Sequence, residues 1–318
     1  MALGKKGMYF TVMTIAFLVI FTFVFMLPSY RRSTEKMAAV ELRVDSMDDF
    51  VKGLQRDAGR ALYISSYRAV MALEAYILSH GTFLDDSEAR FMEALLNGTV
   101  EGVNSSLMKD SRLPDWIARI VADSTALNII SNITVLNVEI YQDDPWYITV
   151  AANMTFFIQD STSIASWNIN RNIITRISIV GFEDPLYVVN TYGRLTNAIN
   201  ITHYEGNYTY ESGGIWYVDN FMEHVSNGYY SAHLDAPNFI MRFENNMSNS
   251  SSGIESIVDL TKLNAQGLQI NTGSSIVDYY YWQAASNGDF RVNNTPSWVV
   301  MDEDHLSKYQ LLSVSYPE

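Results

Sequence analysis

The 318-residue chain contains no cysteine. That excludes disulfides, thiol catalysis and thiolate metal ligation, and it removes the usual redox indication of compartment. Histidine is scarce: His80, His203, His224, His233 and His305 are the whole set. None of them stands in an H-E-x-x-H arrangement or at a zinc-type spacing from a partner. There is no G-x-S-x-G elbow, no Walker loop and no G-x-G-x-x-G fingerprint, so the common hydrolase and nucleotide-binding signatures are missing. Basic residues are also few, with 21 Lys and Arg against 35 Asp and Glu for a formal charge of −14. The imbalance is uneven, since residues 1–80 carry a net +3 and residues 81–318 a net −17. So acidic a C-terminal part is soluble and self-repelling, and nucleic acid and anionic lipid are excluded as its partners.

Charge, glycine and proline are all absent from residues 8–27, MYFTVMTIAFLVIFTFVFML. About 20 apolar residues at 1.5 Å rise match the roughly 30 Å hydrocarbon core of a bilayer, so this segment is expected to span it and to contact lipid. A cleaved secretory signal has a shorter apolar region followed by small residues. Here the run ends in Met26-Leu27-Pro28-Ser29-Tyr30-Arg31-Arg32, with no A-x-A pattern. Lys5 and Lys6 on one flank face Arg31, Arg32 and Lys36 on the other, so positive charge alone does not orient the span.

Asparagine does orient it. It is absent before Asn97 and frequent afterwards, and N-x-S/T acceptor triplets occur at Asn97, Asn104, Asn132, Asn153, Asn200, Asn207, Asn246, Asn249 and Asn293. Chance predicts about four, so the excess favours a glycosylated extracellular part over mere abundance of polar loop residues. The N-terminus is then cytoplasmic and the head outside.

After a break at Pro28, a second helix is expected over residues 34–80. Its apolar positions Met37, Val40, Val44, Met47, Val51, Leu54, Ala58 and Ala61 alternate spacings of three and four, a heptad seam. Such a seam serves either assembly with other chains or packing on the chain's own head. Gly81 is the expected stop. Short helices are predicted within residues 85–96 and from Leu113-Pro114-Asp115-Trp116, with proline and an acid in the first turn. Strands follow at residues 133–140, 147–158 and 172–180, the first two joined by a turn at Asp143-Asp144-Pro145. Residues 245–253, NNMSNSSSG, read as a flexible polar loop. Further strands are expected at residues 254–263, 275–282 and 297–300. The fold class is α+β: a transmembrane helix (8–27) behind a short tail (1–7), an amphipathic helical stalk (28–80), a helix-plus-antiparallel-sheet head (81–183) and a β-rich aromatic lobe (184–318).

Chemistry has few candidates. Asp302-Glu303-Asp304-His305 and Asp143-Asp144 offer oxygen ligands for calcium, but neither has the alternating D-x-D-x-D-G pattern. Glu183, Asp184, Asp235 and Asp302 are candidates for a paired-carboxylate hydrolytic site whose spacing depends on the fold. Tyr208, Tyr210, Trp216, Tyr217, Tyr229, Tyr230, Tyr279, Tyr280, Tyr281 and Trp282 are either half-buried sheet residues or a face for sugar or protein ligands. No catalytic, cofactor or metal residue is assigned.

A tail ending in Lys5-Lys6-Gly7, an apolar helix beginning at once at Met8, a proline some twenty residues on and an amphipathic continuation together resemble a type IV pilin. The likeness is to archaeal pilin-like surface proteins with class III signal peptides, and it covers about the first 80 residues. It implies cleavage between Gly7 and Met8 on the cytoplasmic side, a kink at Pro28, and partners that are copies of this chain or other pilin-like subunits. The chain departs from bacterial pilins, which carry glutamate at the fifth mature position where this sequence has Val12. The large head fits a minor or tip component. The expected function is a non-enzymatic surface subunit, with adhesion as a further expectation; the alternatives are an uncleaved receptor or sugar-binding ectodomain and, third, an anchored hydrolase.

Overall fold

The computed structural model describes residues 5–283 and 288–317, with side chains undescribed at residues 5–6 and 27–34. The tail residues 1–4 of the expected leader therefore lie outside it, as do the side chains of Lys5, Lys6 and Pro28. The chain is a mixture of helix and antiparallel sheet. It opens with one helix of 76 residues, α1 (Lys5–His80), which runs without interruption through position 28. The expected break is absent: proline's fixed φ is itself helical, and the cost of one missing hydrogen bond need not end a helix this long. Gly81 terminates it with φ +67° and an N–H donated to Ile77 O at 2.8 Å.

Past α1 come α2 (Ser87–Asn97), a small hairpin of β1 (Thr99–Val100) and β2 (Val103–Asn104), and α3 (Leu113–Ala126). Asp86 caps α2 by accepting from Ala89 N, and Pro114 sits in the first turn of α3. A meander follows, β3 (Ile129–Asp144), β4 (Tyr147–Asp160) and β5 (Ser166–Ser178), with β4 central. The turn at Asp143-Asp144-Pro145 is where the pattern places it, and Asp144 Oδ1 accepts from Trp146 N at 2.8 Å. The third strand starts at Ser166, six residues earlier than expected.

Side chains at 148, 150, 152, 154, 156 and 158 of β4 are buried on one face of the sheet, and α1 lies against the sheet. The seam of α1 divides there. Met47, Val51, Leu54, Ala58 and Ala61 are buried in the head's own core together with Leu62, Ala69, Val70, Leu73 and Ile77. Val44 is half-buried, while Met37 and Val40 are exposed. Five of the eight seam residues therefore serve the intramolecular alternative, because the apolar face of the meander needs a cover and α1 supplies it.

The distal part departs furthest from expectation. It contains α4 (Pro185–Asn190), a hairpin of β6 (Tyr210–Ser212) and β7 (Ile215–Tyr217), α5 (Asp219–Asn227), β8 (Tyr230–Ala232), α6 (Phe239–Arg242), β9 (Ile254–Ser256), α7 (Leu260–Ala265), α8 (Asp278–Gln283), β10 (Phe290–Val292), β11 (Val300–Met301), α9 (Glu303–Lys308) and β12 (Ser315–Pro317). Its strands are two or three residues long, so it is a mixed lobe and not a β-rich one. The SIVDYYYW segment, expected as a strand, ends in α8; Tyr279 and Tyr281 are buried in a second hydrophobic core, and packing overrides the strand preference of tyrosine. The strand expected over residues 254–263 stops at Ser256 and turns into α7, capped by Asp259 accepting from Thr261 N. Of residues 297–300, expected as a strand, only Val300 lies in one, β11 (Val300–Met301), while Ser297 and Trp298 form a turn. Residues 245–253 are tied down: Ser250 N donates to Ala236 O and Gly253 N to Ser250 O. A Cβ on Gly253 would lie 2.0 Å from Ala236 O and 2.3 Å from His233 O, so only glycine permits that approach.

Candidate functional site

Two features carry functional information: a bare apolar helix at one end of the molecule and a buried polar network at the other. Gly7–Met26 has a mean hydropathy of 2.3 over 20 residues, and none of it is buried in the chain. Its three threonines need no outside partner. Thr11 Oγ1 donates to Met8 O at 2.9 Å, Thr14 Oγ1 to Phe10 O at 2.8 Å and Thr22 Oγ1 to Leu18 O at 2.6 Å, which suits a helix in hydrocarbon. Among the described residues this is the one helix long and apolar enough to cross a membrane, and a signal sequence at an N-terminus meets the same criteria.

The distal lobe encloses a polar network around β9. Arg242, from α6, is fully buried; its Nη1 donates to Asp184 Oδ2 at 2.6 Å and to Asp278 Oδ2 at 2.9 Å, and its Nη2 bonds to Ile254 O. Tyr230 OH donates to Asp184 Oδ2 at 2.8 Å, and Ser256 N and Oγ donate to Asp278. Burial pushes the Asp278 carboxyl up against the opposing pull of Arg242. Asp184, Arg242 and Asp278 are all 0% exposed, and the centre they form joins α4, α6, α8 and β9.

One residue earlier on β9, Glu255 is fully buried in the second part of the network. Its Oε2 stands 3.0 Å from His233 Nδ1 and 3.2 Å from His305 Nε2, and its Oε1 accepts from Tyr309 OH at 2.8 Å. Asp302 caps α9 through His305 N and also takes the ring, with Oδ1 2.6 Å from His305 Nδ1. Burial alone would lower the pKa of His305, but Asp302 and Glu255 outweigh it and lift the ring to about 10. Burial would likewise raise Glu255, yet the His233 and His305 rings beside it hold it well below the usual carboxylate range. Nearby, burial lowers His224 to about 4, so that ring is neutral. The donor atoms of His233, Glu255 and His305 all lie within 4.8 Å of one another, the geometry of a potential metal centre.

The sequence-level candidates are dispersed by the fold. Asp302 turns inward while Glu303 and Asp304 face solvent, so the acidic run does not converge on an ion. Asp144 is 3.3 Å from Arg176, and Asp143 accepts from Thr149 Oγ1. Of the carboxylates considered for hydrolysis, Asp184 is bound to Arg242 and Asp302 to His305, while Asp235 is exposed and accepts from Asn249 Nδ2. Tyr208, Tyr230, Tyr279 and Tyr281 are core residues, Tyr229, Tyr280 and Trp282 are half-buried, and only Tyr210, Trp216 and Tyr217 of that set form an exposed group, on the β6–β7 hairpin. Of the nine acceptor asparagines, Asn97, Asn104, Asn132, Asn200, Asn207, Asn246, Asn249 and Asn293 are exposed; Asn153, in the central strand between Asn137 and Asn172, is half-buried.

Sequence reasoning missed Arg242, Glu255 and the pairing of His233 with His305. Glu255 and His305 are 50 residues apart, and no local spacing reports their meeting. No protein-family model matches the sequence, no curated protein matches it, and no solved structure matches the fold.

Proposed function

We propose that this chain is a non-enzymatic, single-span surface protein of pilin-like organisation, with residues 8–27 in the bilayer, its N-terminal tail in the cytoplasm and its glycosylated head outside. In this reading it is a minor or tip component of a type IV filament or a related surface assembly. The observation that carries it is the division of α1: twenty apolar residues stand bare at one end, while the other end is built into the head's core. A helix split in this way can remain in lipid or pass into a bundle with other helices without unfolding the head. The exposed Met37, Val40 and Leu42 extend the available surface beyond the membrane segment. An alternative, an uncleaved sugar- or protein-binding ectodomain, draws on the β6–β7 hairpin, where Tyr210 and Tyr217 stack at 5.1 Å.

The test is the intact mass and N-terminal sequence of the native protein. The proposal expects a start at Met8, after Lys5, Lys6 and Gly7, and accumulation of the unprocessed chain in a Gly7→Leu variant. A start at Met1 or Ala2 replaces the pilin reading with a simple anchor, and a start beyond Tyr30 makes the segment a removed signal.

A further inference from the structure

We propose that His233, Glu255 and His305 bind one divalent transition metal ion of the zinc class. Two imidazole nitrogens and one carboxylate oxygen form a donor set that suits zinc, whereas calcium and magnesium take oxygen. The 3.0 and 3.2 Å separations of Glu255 Oε2 from the two nitrogens are close to the roughly 3.3 Å between donors sharing a tetrahedral zinc with bonds of 2.0–2.1 Å.

Three further observations support a site built for an ion. The nitrogen His233 Nδ1 is buried without a hydrogen-bond partner although it stands beside the carboxylate, so the contact is not accounted for by a hydrogen bond. His305 has its Nδ1 engaged by Asp302, an outer carboxylate that leaves Nε2 as the donor facing Glu255. Glu255 is itself divided: Oε1 is held by Tyr309 and stands 3.8 Å from Lys308, while Oε2 faces both histidines. Once the metal has taken the place of the proton on His305, the carboxylates of Glu255 and Asp302 outweigh the nearby ammonium of Lys308, leaving the site attractive to a dication. Tyr279 OH also lies 3.1 Å from His305 Nε2. The His233 side chain retains 22% exposure and gives the ion a way in from solvent.

Binding replaces the proton on His305 Nε2 with the metal and releases that proton to solvent, while Nδ1–H stays on Asp302. The ion would tie the segment after β8, strand β9 and helix α9 together, cross-linking a lobe that has no disulfide.

The experiment uses the full-length chain in detergent, stripped with EDTA, desalted and titrated with zinc chloride by calorimetry, with metal counted per chain after gel filtration. The expected result is one retained zinc per chain, a heat that depends on the ionisation enthalpy of the buffer, and a higher melting temperature. His233→Ala should abolish retention. Asp302→Asn, which still caps α9, should weaken binding about 10–100-fold. A His80→Gln/His203→Gln variant, which alters only exposed histidines, should bind as wild type. Failure of the wild type to retain one zinc, wild-type binding by Asp302→Asn, or loss of binding in the surface variant would each overturn the proposal. If His233→Ala does not fold, Asp302→Asn decides the matter.

Discussion

Replacing Leu62 by alanine tests whether the C-terminal half of α1 belongs to the head. Leu62 is 0% exposed within the core, and on the helix its neighbours four residues away are Ala58 and Ser66, also fully buried. Those side chains are too short to fill the space left behind, so the usual leucine-to-alanine cost applies without relief, about 3–4 kcal/mol. Leu42, on the same helix, is 73% exposed, and its replacement should change stability by no more than about 0.5 kcal/mol. At about 2–4 °C per kcal/mol, the Leu62 variant should melt about 6–16 °C below wild type and the Leu42 variant within about 2 °C of it. Tryptophan fluorescence of the full chain in detergent is a specific readout, because all six tryptophans lie beyond residue 80. Equal melting temperatures for the two variants would refute the placement of Leu62 in the core. Loss of association by Leu62→Ala with an unchanged head would do the same and return the whole seam to contacts between chains.

Two further outcomes follow from buried charge. Glu74 lies in α1, where its Oε1 accepts from Glu183 N; burial, reinforced by the Glu183 carboxylate, lifts it to about 7. The folded chain therefore holds a proton that the unfolded chain releases near pH 4.5, and this residue's contribution to stability falls as pH rises from about 4.5 to 7. Glu74→Gln keeps the acceptor and removes the titration, so its melting temperature relative to wild type should climb across that interval. The gain above pH 7 should reach about 1–2 kcal/mol after allowance for solvent at this half-buried group, and a difference independent of pH would contradict the assignment. Arg242→Met removes the guanidinium bonded to Asp184 and Asp278, which are fully buried; urea denaturation should report a loss of about 3–5 kcal/mol, and a change below about 1 kcal/mol would show that the carboxylates are neutral without it.

What could be read from the sequence was whatever rests on neighbours along the chain. The apolar run, the stop at Gly81, the start of α3 at Pro114 and the hairpin at Asp143-Asp144-Pro145 depend on residues a turn or a strand apart, and the structure has each of them. The heptad seam was legible as a pattern but not as a destination, since Met47 and Val51 look alike on a helix whether the cover is a sheet or another chain. In the distal lobe the signals conflict. Tyrosine-rich residues 275–282 have strand composition, yet Asp278 is drawn inward by Arg242 and Ser256, and the segment winds into α8 around that anchor. The same long-range pairing explains the unforeseen site. Gly253 is a plain glycine in a polar stretch until its carbonyl, accepting from His233 N at 3.0 Å, is seen to bring the segment of His233 beside β9 and Glu255. Asp302 reads as one of a run of acids until it caps α9 and turns His305 toward the same carboxylate. A donor set drawn from three segments has no spacing to detect, so its trace in the sequence is compositional: in a chain with five histidines, two meet at one buried glutamate.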